Sequence, residues 1–193
     1  YEKFGNSLYK GREIKHAFEL LEYAMILQRV YGSPATEPPI QPSFNVSPKI
    51  VYLDSGLVVH KLGLTFEASI TTDLNSIFRG NFSEQVVGQS LISENVNRQN
   101  TLCFWYRNSP GSIAETDYTY LRNNRVIPIE VKSGKTGSLK SLHQFMRASS
   151  SKLAIRIYSG ELQKSKVNAD NTDFDLLSVP FYLQWRLKEI LSS

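Results

Sequence analysis

The 193-residue chain predicts an α/β fold, a mixed sheet flanked by helices and preceded by a small helical unit. Three observations carry this. From Asn81 onward, helical apolar periodicity alternates with short β-branched runs in the order α, β, β, β, α, β. Composition shifts near residue 76, dividing 1–76 from 77–193. A 41% hydrophobic and 21% charged composition is that of a core-forming globular chain.

Ile14, Ala17, Leu20, Leu21, Ala24 and Leu27 recur at helical spacing and predict a packing helix over 9–30, stopped by Gly32-Ser33-Pro34. Five of the eight prolines fall between Pro34 and Pro48, which requires an extended connection. Ile50–Leu53 is a short strand, and Asp54 suits a helix cap rather than a catalytic role. Asn81–Glu94 is a helix with Phe82, Val86, Val87, Leu91 and Ile92 on its apolar side and Glu84 beside them. Strands follow at Leu102–Tyr106, Ile113–Leu121 and Val126–Lys132, with a turn at Asn108–Gly111. Gly137-Ser138 introduces a helix carrying Leu139, Leu142, Phe145 and Met146, and Leu153–Tyr158 is the next strand. Gln163–Thr172 is polar and reads as a loop, Phe174–Leu177 as a last strand, and Pro180 as the first turn of a closing helix through Leu183, Leu187 and Leu191.

The chemistry concentrates between Glu115 and Lys132. Alternation along a strand points Glu130 and Lys132 one way and Ile129 and Val131 the other, and it pairs Glu115 with Asp117. A short connection at Leu121–Asn124 fits a hairpin that brings Asp117 beside Glu130. Magnesium or manganese is held by one or two carboxylates plus water and substrate phosphate, a need that Asp117 and Glu130 meet, with Glu84 as a third carboxylate. Lys132 then neutralises charge on a phosphate or orients a water, so the implied reaction is phosphodiester hydrolysis.

The net charge is only +4, yet from Lys132 to Lys166 eight basic residues face Glu161 alone. Such a flank suits a polyanion, with DNA the expected partner. Lys135, Lys140 and Arg147 are the candidate phosphate contacts, and Gln144 is an accessory one. Phe104, Trp105 and Tyr106 are better explained by packing than by base stacking. One cysteine, Cys103 in an apolar run, excludes a disulfide framework and suits a reducing, cytoplasmic compartment. No apolar run approaches the roughly 20 residues that cross a bilayer.

Helical Glu84, then Asp117, then Glu130-Val131-Lys132 on successive strands resembles the PD-(D/E)XK nuclease superfamily, whose core follows the same order of elements. More narrowly, Gly80–Val87, Phe104–Arg107, Glu115-Thr116-Asp117-Tyr118 and Ile127–Gly134 resemble the C-terminal domain of AAA+ type ATPases, a domain of unknown function. The likeness extends over nearly all the chain, including Lys49–Leu57. It implies a winged-helix-like first half, metal ligands at Glu84, Asp117 and Glu130, a catalytic lysine at Lys132, and Glu115 in a Glu-X-Asp motif. Thr116 stands where the superfamily's name has proline.

Ser133-Gly134-Lys135-Thr136 imitates the end of a phosphate-binding loop, but position 129, where its first glycine would fall, is Ile. ATP binding is therefore expected of a fused module ahead of Tyr1. His16, His60 and His143 have no ligand spacing, and no Gly-X-Ser-X-Gly elbow is present. A non-enzymatic module that binds nucleic acid or protein and gates the ATPase is the alternative function, and a purely structural or oligomerising domain is a third.

Overall fold

The computed structural model describes residues 8–61, 80–95, 102–109 and 112–192. Along the chain these form α1 (Gly11–Tyr23), β1 (Leu27–Ser33), β2 (Lys49–Tyr52), α2 (Ser55–Lys61), α3 (Asn81–Asn95), β3 (Cys103–Ser109), β4 (Ser112–Glu115) and β5 (Tyr118–Arg122). They continue as β6 (Arg125–Lys132), α4 (Lys140–Ala148), β7 (Leu153–Tyr158), β8 (Gln163–Ala169), β9 (Thr172–Pro180), a 3-10 segment (Phe181–Arg186) and α5 (Leu187–Ile190). The strands form one nine-stranded mixed sheet in the order β2-β1-β3-β5-β6-β7-β9-β8, with β4 also paired to β3. The sequence boundary at residue 76 and Pro110-Gly111 of the predicted turn lie outside the described residues.

The α, β, β, β, α, β order expected from Asn81 is present, with β4 and β5 together filling the place of the second strand. Period-two alternation then sorts two cores. Ile129, Val131, Ile155, Ile157, Leu177 and Val179 pack with Val87 and Leu91 of α3 on one face. Val126, Ala154, Phe174 and Leu176 meet Leu142, Phe145 and Met146 of α4 on the other. Each such aliphatic side chain contributes about 1.5–3 kcal/mol by leaving water. The residues under α4 come from the first halves of β6, β7 and β9. Glu130, Arg156 and Ser178, aligned in register further along those parallel strands, occupy the same face beyond that apolar patch.

Three expectations change. The predicted 9–30 helix ends at Tyr23, because Met25 adopts φ 56 and the chain closes a two-bond cap, Ile26 N–H to Leu21 O and Met25 N–H to Glu22 O, both 3.0 Å. Leu27 and Val30, three residues apart, fit a helix equally well by spacing; here they are buried strand residues, with β1 parallel to β3. The polar stretch read as a loop over 163–172 contains β8, an edge strand with mostly exposed side chains, joined to β9 by a tight turn with positive φ at Asp170 and Asn171. The closing helix is mostly a 3-10 segment, with four α-helical residues after it.

Asp54 does cap: its Oδ1 accepts from Gly56 N–H at 2.7 Å, at the start of α2. Phe104 and Trp105 are buried, and Trp105 meets Phe145 edge-on with ring centres 5.3 Å apart. Among the described residues no helix is long and apolar enough to cross a membrane.

Candidate functional site

The hairpin forms as expected. Asn123 and Asn124 both take positive φ, the two-residue turn that suits right-handed strand twist, and β5 pairs with β6 from Arg122↔Arg125 to Tyr118↔Ile129. The next step in that register places Asp117 opposite Glu130, and Asp117 Oδ2 accepts the Val131 N–H at 2.7 Å. Glu115 and Asp117 reach a common point, as expected, but not from one uninterrupted strand. β4 pairs Glu115 with Tyr106, while β5 pairs Thr119 with Cys103, so three residues on this side oppose two on β3. Such a bulge bends the strand and redirects its side chains. Thr116 N–H still donates to Trp105 O at 3.0 Å, while Asp117 turns toward β6.

Glu84 arrives from the first turn of α3. The Tyr118 hydroxyl donates to its carbonyl at 2.9 Å, and Gly88, one turn on, makes room for that ring: a Cβ there would lie 2.4 Å from the Tyr118 oxygen. Gln85 fixes the same helix to β2, donating to Tyr52 O at 2.7 Å and accepting from Tyr52 N–H at 3.0 Å.

At the centre of these acids is Lys49, the first residue of β2, which the sequence did not single out. Its Nζ lies 3.0 Å from Glu115, 3.2 Å from Glu84 and 3.4 Å from Asp117, and 5.2 Å from the centre of the Phe104 ring. Burial works against its charge, but Asp117, then Glu84 and Glu115, outweigh that and hold its pKa above the usual value. Lys132 Nζ donates to Glu130 Oε1 at 2.7 Å. Glu130 is 6% exposed and its Oε2 is buried with no hydrogen-bond partner among the described residues. Burial, with Asp117 adding to it and Lys132 opposing, raises the Glu130 pKa to about 7. Asp117 is also raised, chiefly by burial and against the pull of Lys49.

A family model described as a domain of unknown function, DUF4143, matches residues 79–181, just over half the chain. The chain belongs to the DUF4143 family. No match was found among curated proteins. The DUF4143 match takes in Glu84, Glu115, Asp117, Glu130 and Lys132 but leaves Lys49 outside.

The remaining candidates of this DUF4143 chain are dispersed. Gln144 accepts from Arg107 Nη2 at 2.9 Å, and Arg147 is ion-paired with Asp170 at the β8–β9 turn. Lys135 and Lys140 are exposed between β6 and the first turn of α4. Among the described residues no three Asp, Glu, His or Cys side chains form a ready metal-binding group; the Lys49 ammonium stands among three of the carboxylates and the Lys132 ammonium against the fourth.

Proposed function

We propose that this DUF4143 domain is the C-terminal module of an AAA+ type ATPase and carries a magnesium- or manganese-dependent site for hydrolysing DNA phosphodiesters. The observation that carries the reading is the buried, unpartnered Oε2 of Glu130 within a cluster of four carboxylates balanced by only two ammonium groups. A buried acceptor without a donor is costly, and a divalent cation matches the residual charge of the cluster. The oxygen-only donor set is that of a hard cation.

Asp117 and Glu130 would hold the metal, with Glu84 accessory from α3 and Glu115 at the rim. When bound, the metal supplies charge that polarises a phosphodiester and lowers the pKa of water. The chain's own residues do the rest. Glu130 would bind the cation as the carboxylate, its proton released to solvent. Asp117 keeps its orientation through the Val131 N–H. Lys132, at the carboxyl end of β6, passes from Glu130 to a phosphate oxygen and offsets the charge that develops there. Lys49 limits repulsion among Glu84, Glu115 and Asp117 before metal binds.

The test is cleavage of plasmid and single-stranded DNA with manganese or magnesium, in this chain and in the chain joined to its ATPase module. Glu130→Ala abolishes cleavage on this reading. Cleavage that persists in the variant, or no cleavage of any DNA by the unaltered protein, refutes it. One observation favours a second reading, a non-hydrolysing module that binds nucleic acid or protein and regulates the ATPase: the Lys49 ammonium already occupies the centre of three of the carboxylates. Salt-dependent DNA binding with no cleavage selects that reading.

A further inference from the structure

We infer that Arg156 on β7 forms a second phosphate-binding position, one strand away from Glu130, that seats a backbone phosphate of DNA neighbouring the one at the carboxylates. This deepens the reading of the site as one that meets DNA and rests on it. Arg156 is the in-register neighbour of Glu130 across the parallel β6–β7 pair, and Tyr158 is the neighbour of Lys132. Paired residues on adjacent strands share a face about 4.8 Å apart. The Arg156 guanidinium lies 4.2 Å from the centre of the Tyr158 ring, so it extends toward the carboxyl ends of β6 and β7, where Lys132 ends its strand. Carboxyl ends of parallel strands are where open α/β sheets meet ligands.

Two features make this a prepared anion seat rather than a surface charge. First, the guanidinium is fixed: Nε and Nη2 both donate to the buried Ser178 Oγ, at 3.2 and 2.9 Å, and the Tyr158 ring supports its plane. The ring is itself anchored, its hydroxyl donating to Glu161 O at 2.8 Å. Second, the charge is uncommitted. Its hydrogen bonds go to a neutral hydroxyl, no carboxylate among the described residues pairs with it, and Nη1 has neither a protein acceptor nor full burial. A planar cation with its remaining N–H donors free matches the fork geometry of phosphate recognition. Arg147 and Lys164, by contrast, are already paired with Asp170 and Asp175.

The experiment measures binding of a short fluorescein-labelled DNA duplex to this chain without divalent cations, over a range of salt, alongside manganese-dependent cleavage. Arg156→Gln is expected to weaken binding about tenfold near 0.1 M salt and to lower the slope of log affinity against log salt by about one. Arg156→Lys keeps the charge, so the slope holds while affinity falls several-fold. It also serves if the glutamine variant does not fold. Either variant binding as the unaltered chain does overturns the inference, and the cleavage reading then stands or falls on the unaltered chain's own cleavage. Arg156-dependent binding with no cleavage by the unaltered chain supports the inference and removes the cleavage reading. No duplex binding by the unaltered chain overturns the inference.

Discussion

Lys49 and Lys132 meet the same acidic cluster from opposite halves of the sheet, and their surroundings differ. Lys49 comes from β2 at the antiparallel margin and touches three carboxylates on three separate elements, α3, β4 and the bulge before β5. Lys132 comes from the parallel half and touches one carboxylate, two residues back on its own strand. Removing Lys49 strands several charges at once, whereas removing Lys132 leaves one acid that can take up a proton. The first lysine therefore carries the larger structural load, and the second the smaller one.

The largest effect that would break this comparison is on stability. Lys49→Met leaves Glu84, Glu115 and Asp117 facing one another. Breaking a buried pair costs about 3–5 kcal/mol, and the partial exposure of these acids brings the expected loss to about 3 kcal/mol. Chemical denaturation measures it, and manganese should restore part of the loss by replacing the missing charge. A change below about 0.5 kcal/mol, the range of an ordinary surface substitution, would remove Lys49 from its central role.

Next comes pH. Glu130 is raised from its ordinary 4.5 to about 7, chiefly by burial, so the folded chain holds a proton that the unfolded chain releases. The stability this gives is fully present below pH 4.5 and is lost as pH rises to about 7. The loss amounts to about 3 kcal/mol at most. Other groups titrate too, Glu22 and Glu37 in the opposite sense. The quantity to measure is therefore the difference between the unaltered chain and Glu130→Gln, which should narrow as pH falls from 7 to 4.5. A difference that does not vary with pH would contradict the buried state of Glu130.

A smaller change tests how α3 places Glu84. Gly88→Ala sets a Cβ 2.4 Å from the Tyr118 oxygen and 2.9 Å from its Cζ, within a buried contact that cannot swing aside cheaply. Overpacking of this kind costs about 1–3 kcal/mol. The expected sign of displacement is a weaker pull on Lys49, read as a drop in the ammonium pKa by NMR. An unaltered lysine titration would mean that Glu84 contributes little to that cluster.

How much of this was legible in the residues follows the same division. Asp117, Glu130 and Lys132 were readable because strand alternation and a two-residue turn operate over short distances, and the observed register agrees. Lys49 was not, since it lies 35 residues before Glu84 behind a proline-rich connection, and no local periodicity encodes where β2 will dock. Arg156 is legible in the sequence only as charge; its register opposite Glu130 depends on which strands become parallel neighbours. β1 was lost because Leu27 and Val30 satisfy helical spacing, and the helix end at Met25 carries no glycine signal. The polar edge strand β8 was lost because an edge needs no apolar stripe on its open side.

The smallest stability effect belongs to Lys132. Lys132→Met removes the partner of Glu130 Oε1, and a carboxylate already near neutrality responds by protonating rather than by remaining as a buried charge. Because Lys132 draws the Glu130 pKa down, its loss moves that pKa above 7, and the pH window of Glu130 moves upward with it. The expected cost is about 1 kcal/mol, near that of one hydrogen bond between neutral groups. Carbon-detected NMR of the Glu130 carboxyl reads the upward shift directly. The same substitution should abolish any cleavage, since no other side chain pairs with Glu130 among the described contacts. A fold that tolerates the change while the chemistry does not is the signature of a working lysine. A loss of stability as large as that of Lys49→Met would instead make the two lysines equivalent structural charges, and the division between the two halves of the sheet would fail.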